Sequence, residues 1–500
     1  MIILLTSLLC VAFRVEKVQA SGTIYIRADG SIDPPTANIS TADNVTYTFL
    51  DNNYDSIVVE RDNIVIDGAS YTLQGAGSGN GIVLSGRSNV TLRDIEIKAF
   101  GCGVGLNFSS SNVVSGNNIS NNEFSIGFSF SSGNTISENN ITNNGAGVWL
   151  INSSSNTISE NNITNNGAGV WLDSFSNYNT VSGNSFIDDG LYVRDSFGNV
   201  VVDNLVNGKP LVYLEDVSDL VVEEAGQVIL VNCNRIRVEN LTLSNAVVGV
   251  QLCHTNNTTI TGNKITNNGF GVFLTNSSIN TVSGNNITAN AAAGVWLISS
   301  SNNNSISGNI ISANSHDGIW VSSSASNTVS GNNISDNLSG VLLTYSAYNT
   351  VSGNKITNNW RGVYLDESLD NIIYHNNFVD NTQQTYIMVG STNVWDNGCE
   401  GNFWSNYAGS DSDGDGIGDT PYMLDGSNQD QYPLMNPYWT PGDIDHDLDV
   451  DIYDIVKAAG IYGSTLLDPE WNPHCDIAEP YGIIDIFDIV MIAMSYGEEY

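Results

Sequence analysis

Carboxylates at alternate positions mark three stretches near the C-terminus of this chain. The first, Asp411-Ser412-Asp413-Gly414-Asp415-Gly416-Ile417-Gly418-Asp419, spaces acids two residues apart with glycine where the backbone must turn sharply. This is the first half of a calcium loop, in which hard oxygen ligands surround a hard cation. Asp411, Asp413 and Asp415 are expected to coordinate directly, Ile417 through its carbonyl, and Asp419 directly or through water. Tyr422 stands where a bidentate glutamate would close such a loop. The second stretch, Asp443 to Asp454, has Asp at positions one, three, five, nine and twelve, and an apolar helix is expected directly after it, over Ile455–Tyr462. The third, Cys475 to Asp488, repeats the pattern with one extra residue, and Ala478 and Pro480 stand where acids are expected. A second helix is expected over Ile489–Tyr496.

Other candidate groups are weaker. A segment between Ser185 and Leu252 carries Asp188, Asp189, Arg194 and Asp195, but no phrase there matches a catalytic signature, so exposed charges on an irregular coil explain it better. His254, His316, His375, His446 and His474 are scattered, and with six Met they form no soft-ligand cluster for copper. Trp149, Trp171, Trp296, Trp320 and Trp360 fall at related places in a repeat. In the phrase Gly-Val-Trp-Leu, Val148 and Leu150 are expected on one side and Trp149 on the other, giving an exposed aromatic stripe suited to sugar rings. Sequons such as Asn38, Asn44, Asn89 and Asn118 are potential glycosylation sites, although an Asn/Ser/Thr-rich repeat produces them by chance.

The elements that must hold these groups come from internal repetition. Residues Asn134–Leu150 read NTISENNITNNGAGVWL, and Asn156–Leu172 read the same letters again, 22 residues later. Looser copies begin at Asn280, Asn327 and Asn349. Each copy contains short alternating strands bounded by Asn and Gly, with no helical period. Strands this short cannot form a sandwich core. Stacked on copies of themselves, they put Ile136 over Ile158 and Ile141 over Ile163, which fills a continuous interior. Asn tolerates left-handed corners and can hydrogen-bond in ladders along such a stack. The expected fold class is therefore all-β, a right-handed parallel β-helix over residues 21–405, followed by a small α-helical calcium-loop domain.

Composition sets the surroundings. Fifteen Lys and Arg against a net charge of −38 exclude a nucleic-acid surface, and the acidity suits hard cations. Residues 1–20 read as an export signal, a short apolar run over Met1–Phe13 followed by Arg14, Lys17 and the small-residue ending Val18-Gln19-Ala20, either cleaved there or kept as an anchor; no later segment is long enough to span a bilayer. The cysteines after the signal, Cys102, Cys233, Cys253, Cys399 and Cys475, are odd in number and irregular in spacing, so they are expected as single thiols. Secretion or surface display follows.

Two resemblances refine this reading. The phrase NGKPLVYLEDVSDLVVEEAGQVILVNC, its flanking Asn-rich repeats and the ending from Gly401 to Met435 resemble NosD-like parallel β-helix proteins over roughly Gly22 to Pro437. That fold serves sugar-cleaving enzymes, binding proteins and scaffolds alike, so it implies no particular activity. Two calcium loops, each followed by one helix, resemble a type I dockerin, which implies a cohesin-like protein partner. Carried over, the first-loop ligands are Asp443, Asp445, Asp447, Asp451 and Asp454, with Asp449 offering its carbonyl; the second loop would use Asp476, Asp485 and Asp488. Leu448 departs from the usual glycine. Residues 406–440 then form an Asp-rich calcium-loop linker and 441–500 the dockerin-like domain, which docks on its partner or caps the open end of the β-helix. The reading reached is a tethered scaffold that binds glycans or proteins; a polysaccharide lyase or glycoside hydrolase on the same tether is the rival. Three or more carboxylate or basic groups converging in one groove would mark the enzyme.

Overall fold

One isoleucine or valine per short strand points inward and lies on its counterpart in the next coil. The structure, a computed structural model, describes residues 22–438, 444, 450–465, 468, 475 and 482–494. The expected export signal lies outside the described residues. Two units are distinguished: Met1–Asp216 with Glu224–Val231 and Leu243–Cys253, and Val217–Glu223 with Asn232–Thr242 and His254–Tyr500.

In the first unit, Thr135–Ser137 pairs in parallel with Thr157–Ser159, Asn140–Thr142 with Asn162–Thr164, and Ala146–Ile151 with Val170–Asp173. Ile136 aligns with Ile158 and Ile141 with Ile163, as the repeat requires. All four are fully buried, and truncating any of them to alanine should cost about 2–5 kcal/mol. The result is a parallel β-solenoid with three strand faces per coil. The second unit repeats the arrangement, with Thr328–Ser330, Asn333–Ser335 and Ser339–Thr344 stacked on Thr350–Ser352, Lys355–Thr357 and Arg361–Asp366.

Buried asparagines form the corners. Asn112, Asn134 and Asn156 follow one another coil by coil, each side-chain amide donating to the Oδ1 of the next at 3.0 Å. That same Oδ1 accepts the backbone N–H of the preceding rung, also at 3.0 Å. A second ladder runs Asn117, Asn139, Asn161, Asn184 and Asn204, and a third Asn122, Asn144 and Asn166. Ser131, Ser153, Ser176 and Ser196 Oγ each accept a backbone N–H from the coil before, making a fourth column. The second unit has matching columns, such as Asn285, Asn309, Asn332, Asn354, Asn376 and Asn402.

Along the regular coils the left-handed backbone falls one residue before the ladder asparagine, not on it. Gly133, Glu138 and Asn143 have φ of 68°, 56° and 56° ahead of Asn134, Asn139 and Asn144. Bulky residues accept this conformation too, as at Tyr178 and Ile279. The buried amide fixes the corner, and its exposed neighbour bears the strain.

Regularity breaks at Asn207-Gly208, whose φ values of 51° and 80° make a tight turn between Leu205–Val206 and the antiparallel strand Lys209–Glu215. Lys209–Glu215, Gln227–Val231 and Val248–Cys253 then extend the sheet that previously held the Asn-Ile-Thr strands. The sheet holding Trp149 and Trp171 stops at Leu191–Val193. Its last strand is closed by two glutamines: Gln227 accepts from Leu191 N (3.0 Å) and donates to Leu191 O (2.7 Å), while Gln251 does the same for Val193 at 3.3 and 2.5 Å. At the far end of the second unit, Asn428 Oδ1 accepts from Asn393 N and Trp395 Nε1, and Asp430 Oδ2 from Asn402 N and Trp404 Nε1. These ladder ends are thus covered by the 428–430 segment.

Replacing buried Asn139 with alanine should cost about 3 kcal/mol or more, because Asn117 and the carbonyl of Val114 lose partners. Replacing exposed Asn140, whose ladder bonds face water, should change stability by less than about 0.5 kcal/mol. Denaturant titration of the two variants measures the contrast.

Candidate functional site

The Gly-Val-Trp-Leu strands carry the residues most suited to binding. Val148 and Leu150 are fully buried and Trp149 between them is partly exposed, so the alternation divides them as expected. In the first unit Trp149, Trp171 and Tyr192 occupy one register position in consecutive coils. Their ring centroids stand 5.9 and 5.0 Å apart, and Phe124 stacks on Trp149 at 4.9 Å. In the second unit the equivalent row is Phe273, Trp296, Trp320, Leu342, Tyr364 and Tyr386. Trp296 and Trp320 are parallel to within 9° at 4.5 Å.

Two expectations about this stripe need correction. Trp360 is exposed but precedes its strand, and Tyr364 holds the row position instead. Trp296 is buried rather than displayed, because Phe270 and Phe273 close on it at 5.3 and 4.8 Å. The row is half-buried, with Trp320, Tyr364 and Tyr386 more open than Trp296.

Unpartnered buried polar atoms concentrate on this face. Among the described residues, nine buried side-chain polar atoms lack a partner. Seven of them sit on these strands: Ser125 Oγ, Trp149 Nε1 and Trp171 Nε1 in the first unit, and Thr275 Oγ1, Trp296 Nε1, Ser339 Oγ and Arg361 Nε in the second. Outside these strands only Asp189 Oδ1 and Asn199 Nδ2, both at ladder ends of the first unit, lack a partner among the described residues, so the unpaired buried groups concentrate on the aromatic sheet. Arg361 also lays its guanidinium over Tyr364 and Tyr386, at 4.8 and 4.4 Å from the centroids. No sequence pattern flagged Arg361, since its repeat position elsewhere is held by Ala146, Asp317 and Ser339.

The charged segment does not gather into a catalytic cluster. Arg194 makes a two-pronged ion pair with buried Asp173, at 2.7 and 2.6 Å. Asp188 is exposed. Asp189 ends the third ladder of the first unit: its Oδ2 accepts from the backbone and side chain of Asn166, and its Oδ1 has no partner. Burial pushes this carboxyl up to about 7, so it is protonated through mildly acidic conditions.

A carboxyl whose folded value is raised contributes most stability below its unfolded value, near 4, and loses it as pH rises toward 7. Asp189→Asn should therefore stabilise the protein at pH 8, by up to about 4 kcal/mol, and by little at pH 4. Melting temperatures of the two proteins across that range measure the difference.

Of the proposed calcium ligands in the 411–419 loop, Asp411, Asp413 and Asp415 converge, with carboxylate oxygens within 4.8 Å of one another. Asp411 accepts from Gly414 N and Gly416 N, and both glycines have positive φ, 79° and 87°. Ile417 pairs with Leu434. Asp419 turns toward Ser410 and Ser412, whose hydrogen bonds hold its carboxyl below the ordinary range.

Further on, Asp443, Asp445, Asp447, Asp449 and Asp476 lie outside the described residues. Asp451, Asp454, Asp485 and Asp488 each take part in a capping box. Asp451 N donates to Asp454 Oδ2 and Tyr453 N to Asp451 Oδ1; Asp485 N and Phe487 N do the same with Asp488 and Asp485. The two helices therefore begin three residues earlier than expected, as Ile452–Gly460 and Ile486–Met494. Ile444, Val450, Ala458, Cys475, Ile484 and Ile492 form a small core around them. Each helix leaves the same apolar trio exposed, Ile452, Tyr453 and Val456 on one and Ile486, Phe487 and Val490 on the other.

Stacked parallel strands, aligned isoleucines and asparagine columns define a protein of the parallel β-solenoid class. Residues 18–205, 198–351 and 305–409 match the family described as periplasmic copper-binding protein (NosD), and the chain belongs to that family. No curated protein sequence matches the chain. Among solved structures it is similar to the A-module of the Azotobacter vinelandii mannuronan C-5 epimerase AlgE6, with 15% identity and a TM-score of 0.28 over 64% of this chain and 91% of that one. The periplasmic alginate epimerase AlgG gives 15% identity and a TM-score of 0.27 over 74% and 84%. Tailspike protein 3 of bacteriophage CBA120 gives 11% and 0.30 over 73% and 58%. Among the described residues, no His or Cys joins a group of three potential metal ligands, and no helix is long and apolar enough to cross a membrane.

Proposed function

We propose that this chain is an exported, right-handed β-helix that holds glycan chains along its aromatic sheet. The supporting observation is the concentration of buried, unpartnered polar atoms beside stacked Trp and Tyr rings. Flat apolar faces receive the C–H side of a sugar ring, and unpaired donors and acceptors receive its hydroxyls. A right hand follows the rule for parallel crossover connections. Export accords with the residue 1–20 segment and with the family's description as periplasmic.

The C-terminal module is proposed as a calcium-dependent, dockerin-like tether for a cohesin-like partner. Its supports are the twin helices and their matching exposed trios; the clustered Asp411, Asp413 and Asp415 support a calcium loop in the linker before it. Calcium would supply the folding energy that so small a core lacks. Asp451, Asp454, Asp485 and Asp488 stand at the loop–helix junctions where such ligands belong.

Two measurements test these readings on the full chain. A glycan panel scored for retention should show binding that falls about tenfold, or about 1.4 kcal/mol, in Trp171→Ala or Trp320→Ala. Equal retention by these variants and the parent would remove the aromatic sheet as the binding surface. Titrating calcium into chelator-treated protein should release or absorb heat and protect the region after Asp411 from protease. An unchanged digestion pattern with no heat would remove the calcium tether.

A further inference from the structure

Along the aromatic sheet of the second unit, a polar row runs beside the rings. Asp317 pairs in register with Ser339, Ser339 with Arg361, and Arg361 with Gln383. Three residues further along the outer strands lie Trp320 and Tyr364, with nearly buried Leu342 between them. Asp317 is 5% exposed and Ser339 fully buried. Neither Ser339 Oγ nor Arg361 Nε makes a well-formed hydrogen bond. Burial pushes the Asp317 carboxyl up, and Ser339, His316 and Arg361 pull it partly back.

Such a row is costly to keep unless something completes it, since an unpaired buried donor or acceptor forfeits its water without return. The Arg361 guanidinium rests on two rings, which holds it over the sheet beside this row. We propose that Asp317, Ser339 and Arg361 form a subsite for a neutral, hydroxyl-rich sugar seated on Trp320 and Tyr364. The carboxylate accepts from one hydroxyl, the guanidinium donates to a neighbouring one, and Ser339 does either. Both signs of hydrogen-bonding group are present, which suits hydroxyls better than a carboxylate. Asp366 adds a second negative charge beside Tyr364, so an acidic sugar meets two carboxylates for one arginine. This inference rests on the glycan reading above and assigns its chemical class.

The test is calorimetric titration of the full chain with cellohexaose and, separately, with hexagalacturonate. Cellohexaose is expected to bind, and Asp317→Asn and Arg361→Gln each to weaken it about tenfold, the scale of one hydrogen bond to a charged group. Ser339→Ala should weaken it about threefold, whereas Ser339→Thr, which keeps a hydroxyl beside the Asp317 carboxyl, should retain more of the binding; equal loss in both would mark a purely structural role. Cellohexaose binding that is lost in Trp320→Ala but unaltered in all three polar variants overturns the subsite and leaves the glycan reading standing. Tighter hexagalacturonate binding that disappears in Arg361→Gln overturns the neutral assignment. Retention of neither sugar, nor of any member of the glycan panel, overturns both.

Discussion

Everything in this molecule depends on burying primary amides without leaving them thirsty. A buried asparagine carries four hydrogen-bonding positions and is ordinarily a poor core residue. Here each one accepts a backbone and a side-chain N–H from one neighbouring coil and donates to carbonyls of its own coil and beyond, as Asn139 does with Val114 and Ser137. The arrangement works only when the same residue stands at the same place in the next coil. Stacking period, strand register and repeat length are therefore consequences of one amide meeting its copy.

That constraint divides labour among the faces. Two faces of each coil are committed to columns of Asn, Ser, Ile and Val, and changing them disturbs neighbours above and below. The third, with its six-residue strands and partly exposed rings, tolerates variety: Trp149 and Trp171 in one unit, Trp320, Leu342 and Tyr364 in the other. Variation concentrated on one face of an otherwise repetitive stack is how a solenoid acquires recognition without endangering its fold.

Much of this was legible in the sequence. The identical phrases gave the coil length, and the placement of Ile136 on Ile158 followed from period alone. Asparagine ladders were expected, and asparagines such as Asn121, Asn143 and Asn165 do take left-handed angles, but so do Glu138 and Tyr178, and the ladder asparagines themselves do not. Residue type was a partial guide there, because the neighbouring buried amide imposes the corner on whatever residue precedes it. Trp360 lies one residue before its strand because repeat length alone does not fix register to one residue. The helices began early because Asp451 and Asp485 cap them, a role that competes with reading these acids only as metal ligands. Arg361, Ser339 and Asp317 were invisible, since their proximity arises from stacking residues that are 22 apart. Asn207-Gly208 was visible as a phrase, but nothing local states that the strands beyond it change sheets.

The glutamine closure of Leu191–Val193 has an evolutionary meaning. A repeat array ordinarily inherits one phase from end to end, so a frame error in duplication would spoil every coil that follows. Gln227 and Gln251 imitate the backbone of a missing strand, which lets one sheet end while a neighbouring sheet carries on. Such a splice behaves like an expansion joint. Coils can be gained or lost on either side by recombination between near-identical stretches of gene, and the mismatch is absorbed at two side chains.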